Sequence, residues 1–490
     1  MSFADKINPI ALKELRQMVR SRFVASGLVG LLLIAMIAIT VVLLNSHDEL
    51  QDGIALIDQG LGTSIFTTIY VVMAILLLYA APFFIAIRMG AERSNEHLDL
   101  QYTTSLTPRQ LVDGKTAVAA IMVFFFLSAA LPFFALAYLL RGLDLLQAMT
   151  ATIMLLMGAI FCIYEALFLA AVATTLVLRI LLVVFMLAAQ WSITGMVMGY
   201  GIAVINSVST FSFSKPADIT TGLVVVAVWI TTCLFLRAVV IAAVTPSAAN
   251  RAPSLRGGVM ILWLIWAIIA HAQRNSSFTH HFTIFAWAFT MTVIFTIFAL
   301  FSASSAPGYS RRVLSEVSPH SCLRRLLQFI SFSGAENGMV WSLLMTLATL
   351  LVAFLSVNSL PSSTTLPLTS IQEALCDLTF FALTITAYVW TARLCWHLFN
   401  LHKRFSYKIV AIVAIIAITA GWALPWLVTI GSHTSEPAWV FGNIFAFTNE
   451  TPDSFNITIA ASWLLLTVIL SHRNLSTAFA RFKAPQQNVN

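Results

Sequence analysis

The chain alternates long apolar runs with short polar segments. Its first run, Phe23 to Leu44, holds no charged side chain. A bilayer-spanning helix needs ~20 mainly apolar residues. Twelve stretches are candidates, the seventh and twelfth of them short: Phe23–Leu44, Ile65–Ile87, Thr116–Leu140, Ala148–Leu176, Ile180–Ile205, Thr221–Val244, Val259–Ala272, Phe282–Ser305, Met339–Val357, Leu375–Trp396, Ile409–Ile430 and Phe455–Leu470. The pattern predicts an all-α polytopic membrane protein with about twelve transmembrane helices. The first run is longer than a signal-peptide core and lacks a small-residue cleavage site, so it reads as a retained span.

Composition agrees and removes one alternative. Hydrophobic residues make up 59% of the chain and charged residues 10%, and the mean hydropathy is +0.90. Soluble domains lie near ~45–50% and ~25%. The longest polar stretches reach roughly thirty residues, short of the ~40 at which a domain folds unaided. The five cysteines, Cys162, Cys233, Cys322, Cys376 and Cys395, form no C-x-x-C pair and read as small apolar packing residues.

Positive charge predicts the orientation, because Lys and Arg concentrate on the cytoplasmic side. With the N-terminus inside, 23 of the 27 Lys and Arg fall in or beside inner segments. Arg141, Lys215 and Arg274 fall outside. Arg237 lies near the inner end of the sixth span, where a long stem lets the charge snorkel to water. The outer loops carry acid instead, including Asp48, Asp52, Asp58, Glu436 and Asp453. Both termini are therefore expected in the cytoplasm. The net charge of +7 follows from topology and anionic headgroups, with no need for nucleic acid.

Two polar segments stand out. Asn8 to Arg22 sets Ile7, Ala11, Leu15, Met18 and Val19 on one helical face and Lys13, Arg16, Gln17 and Arg20 on another. Such a basic amphipathic helix before a span lies in the membrane interface, or is an ordinary positive flank that happens to be helical. The second segment, Gly90 to Lys115, has a charged start and a short apolar-periodic piece at Leu98, Leu100 and Tyr102. It then reads "SLTP", in which Ser105 or Thr107 can cap a short helix with Pro108 at its first position. The spacing predicts a helix–turn–helix there; a solvated loop is the alternative. The segment closes on Gly114-Lys115-Thr116, the last letters of a phosphate-binding loop. The full pattern G-x-x-x-x-G-K-[ST] follows a strand, but Arg109 stands where its first glycine belongs and a polar run precedes it. A nucleotide site in this chain is therefore not expected.

In their order and placement, the two segments resemble those of ATP-binding-cassette exporter permeases. Asn8, Pro9, Lys13, Glu14, Leu15 and Arg16 match the family's interfacial elbow helix. Glu92, Arg93, Leu98, Leu100, Thr103, Thr104, Leu106, Pro108, Gly114 and Lys115 match its coupling element between the second and third spans. The resemblance covers Met1 to about Val244. It implies an elbow helix over 1–22, a six-span permease half over 23–244 with a coupling segment at 91–115, and a second six-span half over 245–490. That second half reads as a diverged copy or an accessory bundle, because its loop 306–338 has the basic piece "CLRRLLQF" without the coupling pattern. The resemblance further implies a separate ATPase subunit contacting Glu92, Arg93, Leu98, Pro108, Arg109 and Lys115. ATP and Mg would sit on that subunit and none on this chain. A second permease chain or a homodimer, and residence in a cell membrane such as the bacterial inner membrane, are also implied.

Inside the predicted membrane, Glu165 in "CIYEALF" is a functional candidate by default, or a protonated glutamate bonded to a neighbouring helix. Asp377 and His397 lie near span ends, where water is in reach. Gly195, Gly199 and Gly201 permit a bend or a close helix contact. His280 and His281 have no third ligand at zinc spacing. No hydrolase or metalloprotease motif is present. The leading expectation is a permease subunit of an ATP-driven exporter. A twelve-span secondary transporter driven by an ion gradient is the alternative, and a non-transporting scaffold or sensor is a third class. The substrate is not written in the sequence.

Overall fold

A computed structural model describes residues 9–45, 60–94, 107–140, 143–172, 176–206, 216–246, 249–272, 280–306, 308–317, 322–358, 368–399, 409–432 and 454–483. The chain divides into two compact units, Met1–Thr245 and Pro246–Asn490. Among the described residues all regular structure is helical. Among the same residues, ten helices are long and apolar enough to cross a bilayer, and two shorter apolar helices accompany them. This is a polytopic helical membrane protein.

The first unit begins with α1 (Pro9–Val19). Its buried stripe runs through Ile10, Glu14 and Met18 at helical spacing, while Lys13, Arg16 and Gln17 are exposed. The stripe is rotated from the apolar face expected from the sequence: Val19 is 69% exposed. A charge sits at the centre of the buried stripe because Glu14 finds partners there. Next come α2 (Arg22–Asn45) and a helix in three pieces: α3 (Gly60–Ile75), a π turn (Leu76–Ala80) and α4 (Ala81–Ser94).

Helix α5 (Pro108–Leu139) follows, with α6 (Leu145–Val172), α7 (Leu176–Ile205) and α8 (Pro216–Val244). Thr107 caps α5 reciprocally: the Gln110 N–H donates to Thr107 Oγ1 at 3.3 Å, and the Thr107 N–H donates to Gln110 Oε1 at 3.0 Å. This capping box with proline in first position fulfils the cap and proline expectation. Beyond it the sequence misleads, because α5 is no short helix. It runs unbroken from Pro108 into the third span.

Lipid tails are as apolar as leucine, so helices in a bilayer associate through close packing rather than the hydrophobic effect. Small residues serve that purpose: α6 buries Ala151, Ala159, Ala166 and Ala171 completely. Gly201 of α7 lies against the Tyr70 ring, where a Cβ would clash. The Tyr70 hydroxyl can then donate to the Val197 carbonyl at 3.1 Å. Gly195 and Gly199 face open space. Many threonine hydroxyls bond back to the carbonyl four residues earlier, as in Thr116, Thr150 and Thr152, which satisfies them without water.

The second unit comprises α9 (Ala252–Ala272), α10 (His280–Ala303), α11 (Arg311–Ser315), α12 (Cys322–Ser331), α13 (Ala335–Asn358), α14 (Leu368–Leu398), α15 (Ile409–Ser432), α16 (Ser454–Leu470) and α17 (His472–Arg481). Its core gathers Phe380, Trp390 and Trp396 of α14 with Ala299 and Ala303 of α10, Met339 of α13, Val410 of α15 and Leu464 of α16. The Trp463 indole donates to Thr391 Oγ1 at 3.1 Å. Both residues stand seven positions before their helix ends, Leu470 and Leu398. The two ends also lie together: Phe482, just past the α17 that follows α16, meets Tyr309, whose hydroxyl bonds Asn337 beside the Glu336 that pairs with Arg393 of α14, so α14 and α16 run side by side in the same direction. All five cysteines are free, and Cys322 is exposed at the start of α12, unlike the packing role expected of it.

Candidate functional site

In the first unit the two polar segments singled out in the sequence meet. Lys115, about two turns into α5, is buried, as is Glu14 of α1. Lys115 Nζ lies 3.0 Å from Glu14 Oε1, and Arg88 of α4 lies 3.3 Å from Glu14 Oε2. The Arg88 guanidinium also donates to Gln17 Oε1 and rests over the Phe84 ring. Phe84 in turn stacks on Phe23 of α2 at 4.5 Å. One carboxylate thus ties α1 to the helices on both sides of residues 95–106. A buried charge without partners is very costly; here one acid is held by two bases.

Two residues before Lys115, Asp113 points to α8. Arg237 Nε and Nη2 donate to its two carboxylate oxygens at 2.6 and 2.7 Å. This side-on pairing is the strong form of an ion pair. Arg237, expected to snorkel, is a third exposed and closes a fork on a partner 124 residues away. "DGK" is therefore a joint of the first unit, with Asp113 gripping α8 and Lys115 gripping α1.

The other anticipated residues fall as follows. Asn8 and Leu98 lie outside the described residues. Pro9 opens α1 and Pro108 opens α5, while Lys13, Arg16 and Arg109 are exposed. Glu92 and Arg93 belong to the last turn of α4, and their side chains lie outside the description. Lys115 and Glu14 hold each other inside the protein, so neither presents its charge at the surface. Glu165 is buried in α6, and its Oε2 has no hydrogen-bond partner. Gln190 Nε2 and Thr194 Oγ1 on α7 are likewise buried and unpartnered.

The second unit has a polar layer that the sequence did not announce. Arg393 of α14 is 2% exposed. It donates to Glu336 Oε1 at 2.8 Å and to the Ala303 carbonyl at 2.9 Å, and lies over the Trp396 ring. His397, near the end of α14 and partly exposed as expected, lies 3.4 Å from the same Glu336 oxygen. The Tyr309 hydroxyl donates to Asn337 Oδ1 at 2.7 Å. Burial, helped by the Glu336 charge, pushes Tyr309 above the ordinary tyrosine range, so it stays a donor. Gly338 lets α13 approach Ser302 of α10, where a Cβ would collide. The only signal for this layer was an acid, an amide and an arginine at span ends. Among the described residues no group of three metal-ligating side chains occurs.

No known protein family, curated protein or solved structure matches this chain.

Proposed function

We propose that the chain is the membrane-spanning permease subunit of an ATP-binding-cassette exporter. Twelve spans cross a cell membrane such as the bacterial inner membrane, with both termini cytoplasmic. A separate ATPase subunit, carrying ATP and Mg, supplies the energy at the segment flanked by Glu92 and Arg109, and the complex is completed by a second permease chain or a second copy of this one.

The observation that carries this reading is the Glu14 ion cluster. An ATP-driven permease without its own nucleotide site needs a rigid path from a cytoplasmic segment to its spans. Glu14, Lys115 and Arg88 weld the amphipathic α1 to both borders of residues 95–106, so a push on that segment moves α1, α4 and α5 together. The even number of spans is supported by contacts that join inner helix ends. Asp113 near the start of α5 meets Arg237 near the end of α8, as six alternating crossings require. The side-by-side run of α14 and α16 argues that α15 and α16 cross although their apolar stretches are short.

The decisive experiment exchanges charges at the end of α4. The double variant Glu92→Arg/Arg93→Glu inserts and folds but loses the co-purifying ATPase or fails to stimulate its hydrolysis. Reversing a desolvated pair costs several kcal/mol, a rim pair little. Charge reversal at Arg324 alone, Arg324→Glu, does less to ATPase binding. Full ATPase binding and transport in the Glu92/Arg93 variant would sink the assignment.

One observation favours the alternative, a secondary transporter driven by an ion gradient. Glu165 keeps an unpartnered oxygen inside the bundle, which suits a proton or ion site. Under the exporter reading, Glu165→Gln leaves ATP-driven transport nearly intact. Loss of transport in a folded Glu165→Gln variant, with no ATPase requirement, selects the alternative.

A further inference from the structure

Helices α11, α12 and α17 pack into a small cluster of their own beside the spans of the second unit. Its centre is Phe482, fully buried among Tyr309, Val313, Val317, Phe329 and Phe332. Arg325 of α12 fastens the chain end: its Nε donates to the Phe482 carbonyl at 2.7 Å, its Nη2 to the Phe479 carbonyl, and its guanidinium covers the Phe479 ring. The side of α12 that bears Arg325 and Phe329 is thus spent on the protein.

The opposite side is apolar and uncovered. Leu323, Leu326 and Leu327 are 70%, 45% and 57% exposed. Arg324 stands next to them on α12, Arg311, Arg312, Arg473, Arg481 and Lys483 are exposed elsewhere on the cluster, and the cluster's described residues include a single acid, Glu316. The depth of α12 is fixed as well. Arg256, in the second turn of the span α9, donates to the carbonyls of Ile330 and Phe332 at the end of α12. Three residues later the span α13 begins. A helix tethered this way lies at the level where spans enter the headgroups, with leucines on its free face and a basic cluster behind it.

We propose that this cluster is an anionic-lipid platform: the leucine face of α12 sits at the boundary of headgroups and acyl chains, and the surrounding basic side chains bind acidic phospholipid headgroups. Positive charge near such a surface and apolar area in the interface act together, each too weak alone. The claim is independent of what the protein transports.

The test uses the full-length chain in nanodiscs of phosphatidylcholine, with or without phosphatidylglycerol. A single cysteine at Leu326, in a background free of the five native cysteines, carries an environment-sensitive dye. The dye should emit in the blue-shifted range of a membrane interface. Lipids nitroxide-labelled on the acyl chain should quench it, more strongly with phosphatidylglycerol present. Retention of phosphatidylglycerol over phosphatidylcholine by the purified chain gives a second readout needing no dye. Arg311→Gln/Arg312→Gln/Arg473→Gln should lower that preference more than tenfold, since each basic side chain near a charged surface carries about a factor of five. Water-like emission in both nanodiscs, or burial of the dye only after a soluble protein is added, overturns the proposal. So does an unchanged lipid preference in a folded triple variant.

Discussion

Glu14 and Asp113 show how burial decides the worth of an ion pair. The Glu14 and Lys115 side chains are 7% and 5% exposed, whereas Asp113 and Arg237 are 44% and 33% exposed. Removing one partner of a buried pair costs roughly 3–5 kcal/mol because a desolvated charge is left behind; a pair a third or more exposed is screened by water, and even with good geometry gives about 0–1 kcal/mol, the value for surface pairs. Glu14→Gln should therefore lower the unfolding temperature of the purified chain far more than Asp113→Asn. Equal shifts would mean that Glu14 is not buried as described. Neither partnership was legible in the sequence. Lys115 read as the end of a surface segment and Arg237 as a lone snorkelling charge, because each partner lies more than a hundred residues away. Gly201 was legible as a packing glycine, but the hydroxyl it accommodates was not. Gly201→Val must displace Tyr70, and overpacking of this kind costs about 1–3 kcal/mol. Tyr70→Phe loses only the hydrogen bond to Val197 and should be milder in the same melting assay.

Among the elements, the ten long apolar helices were legible because a bilayer requires long apolar runs, whatever the tertiary fold. Val259–Ala272 was read as a short span; α9 extends it back to Ala252 through Arg256, whose charge hid the boundary but is held by backbone carbonyls. The cap at Thr107 was readable since its chemistry is local. What local chemistry cannot reveal is where a helix fails to stop, and α5 continues straight through the charged "DGK". Helix α17 was missed altogether, and α12 was read only as a basic piece. The leucine spacing at 323, 326 and 327 was the available signal, but it became meaningful only once Arg325 was seen to face inward. Orientation has its own check. Single cysteines placed in the 48–58 and 436–453 segments should react with impermeant thiol reagents added outside, and one at Asn95 or Arg312 should not. Outside labelling at Asn95 would invert the topology.

At the scale of the molecule, each unit closes a core within itself. The first gathers residues from Ile10 to Val244, and the second has its own around Trp390. The polar layers are equally self-contained: the Glu14 cluster lies wholly in one unit and the Glu336 cluster wholly in the other. The 1–245 segment expressed alone should therefore insert and purify as a folded species, retaining a melting transition that Glu14→Gln lowers. A segment that aggregates unless 246–490 is co-expressed would show that the units depend on one another for folding.

The π turn at Leu76–Ala80 has a consequence of this kind for the first unit. It stands between two docking points on one helical rod, Tyr70 against Val197 and Arg88 against Glu14. A π turn is a regular helix that has absorbed one surplus residue. The rod therefore holds one residue in reserve. Deleting Leu77 can be met by regularising the turn, with both docks kept in phase. Adding a residue there has no such outlet and swings one end by about 100° relative to the other. In evolution, as in mutagenesis, this rod should tolerate shortening by one residue far better than lengthening by one.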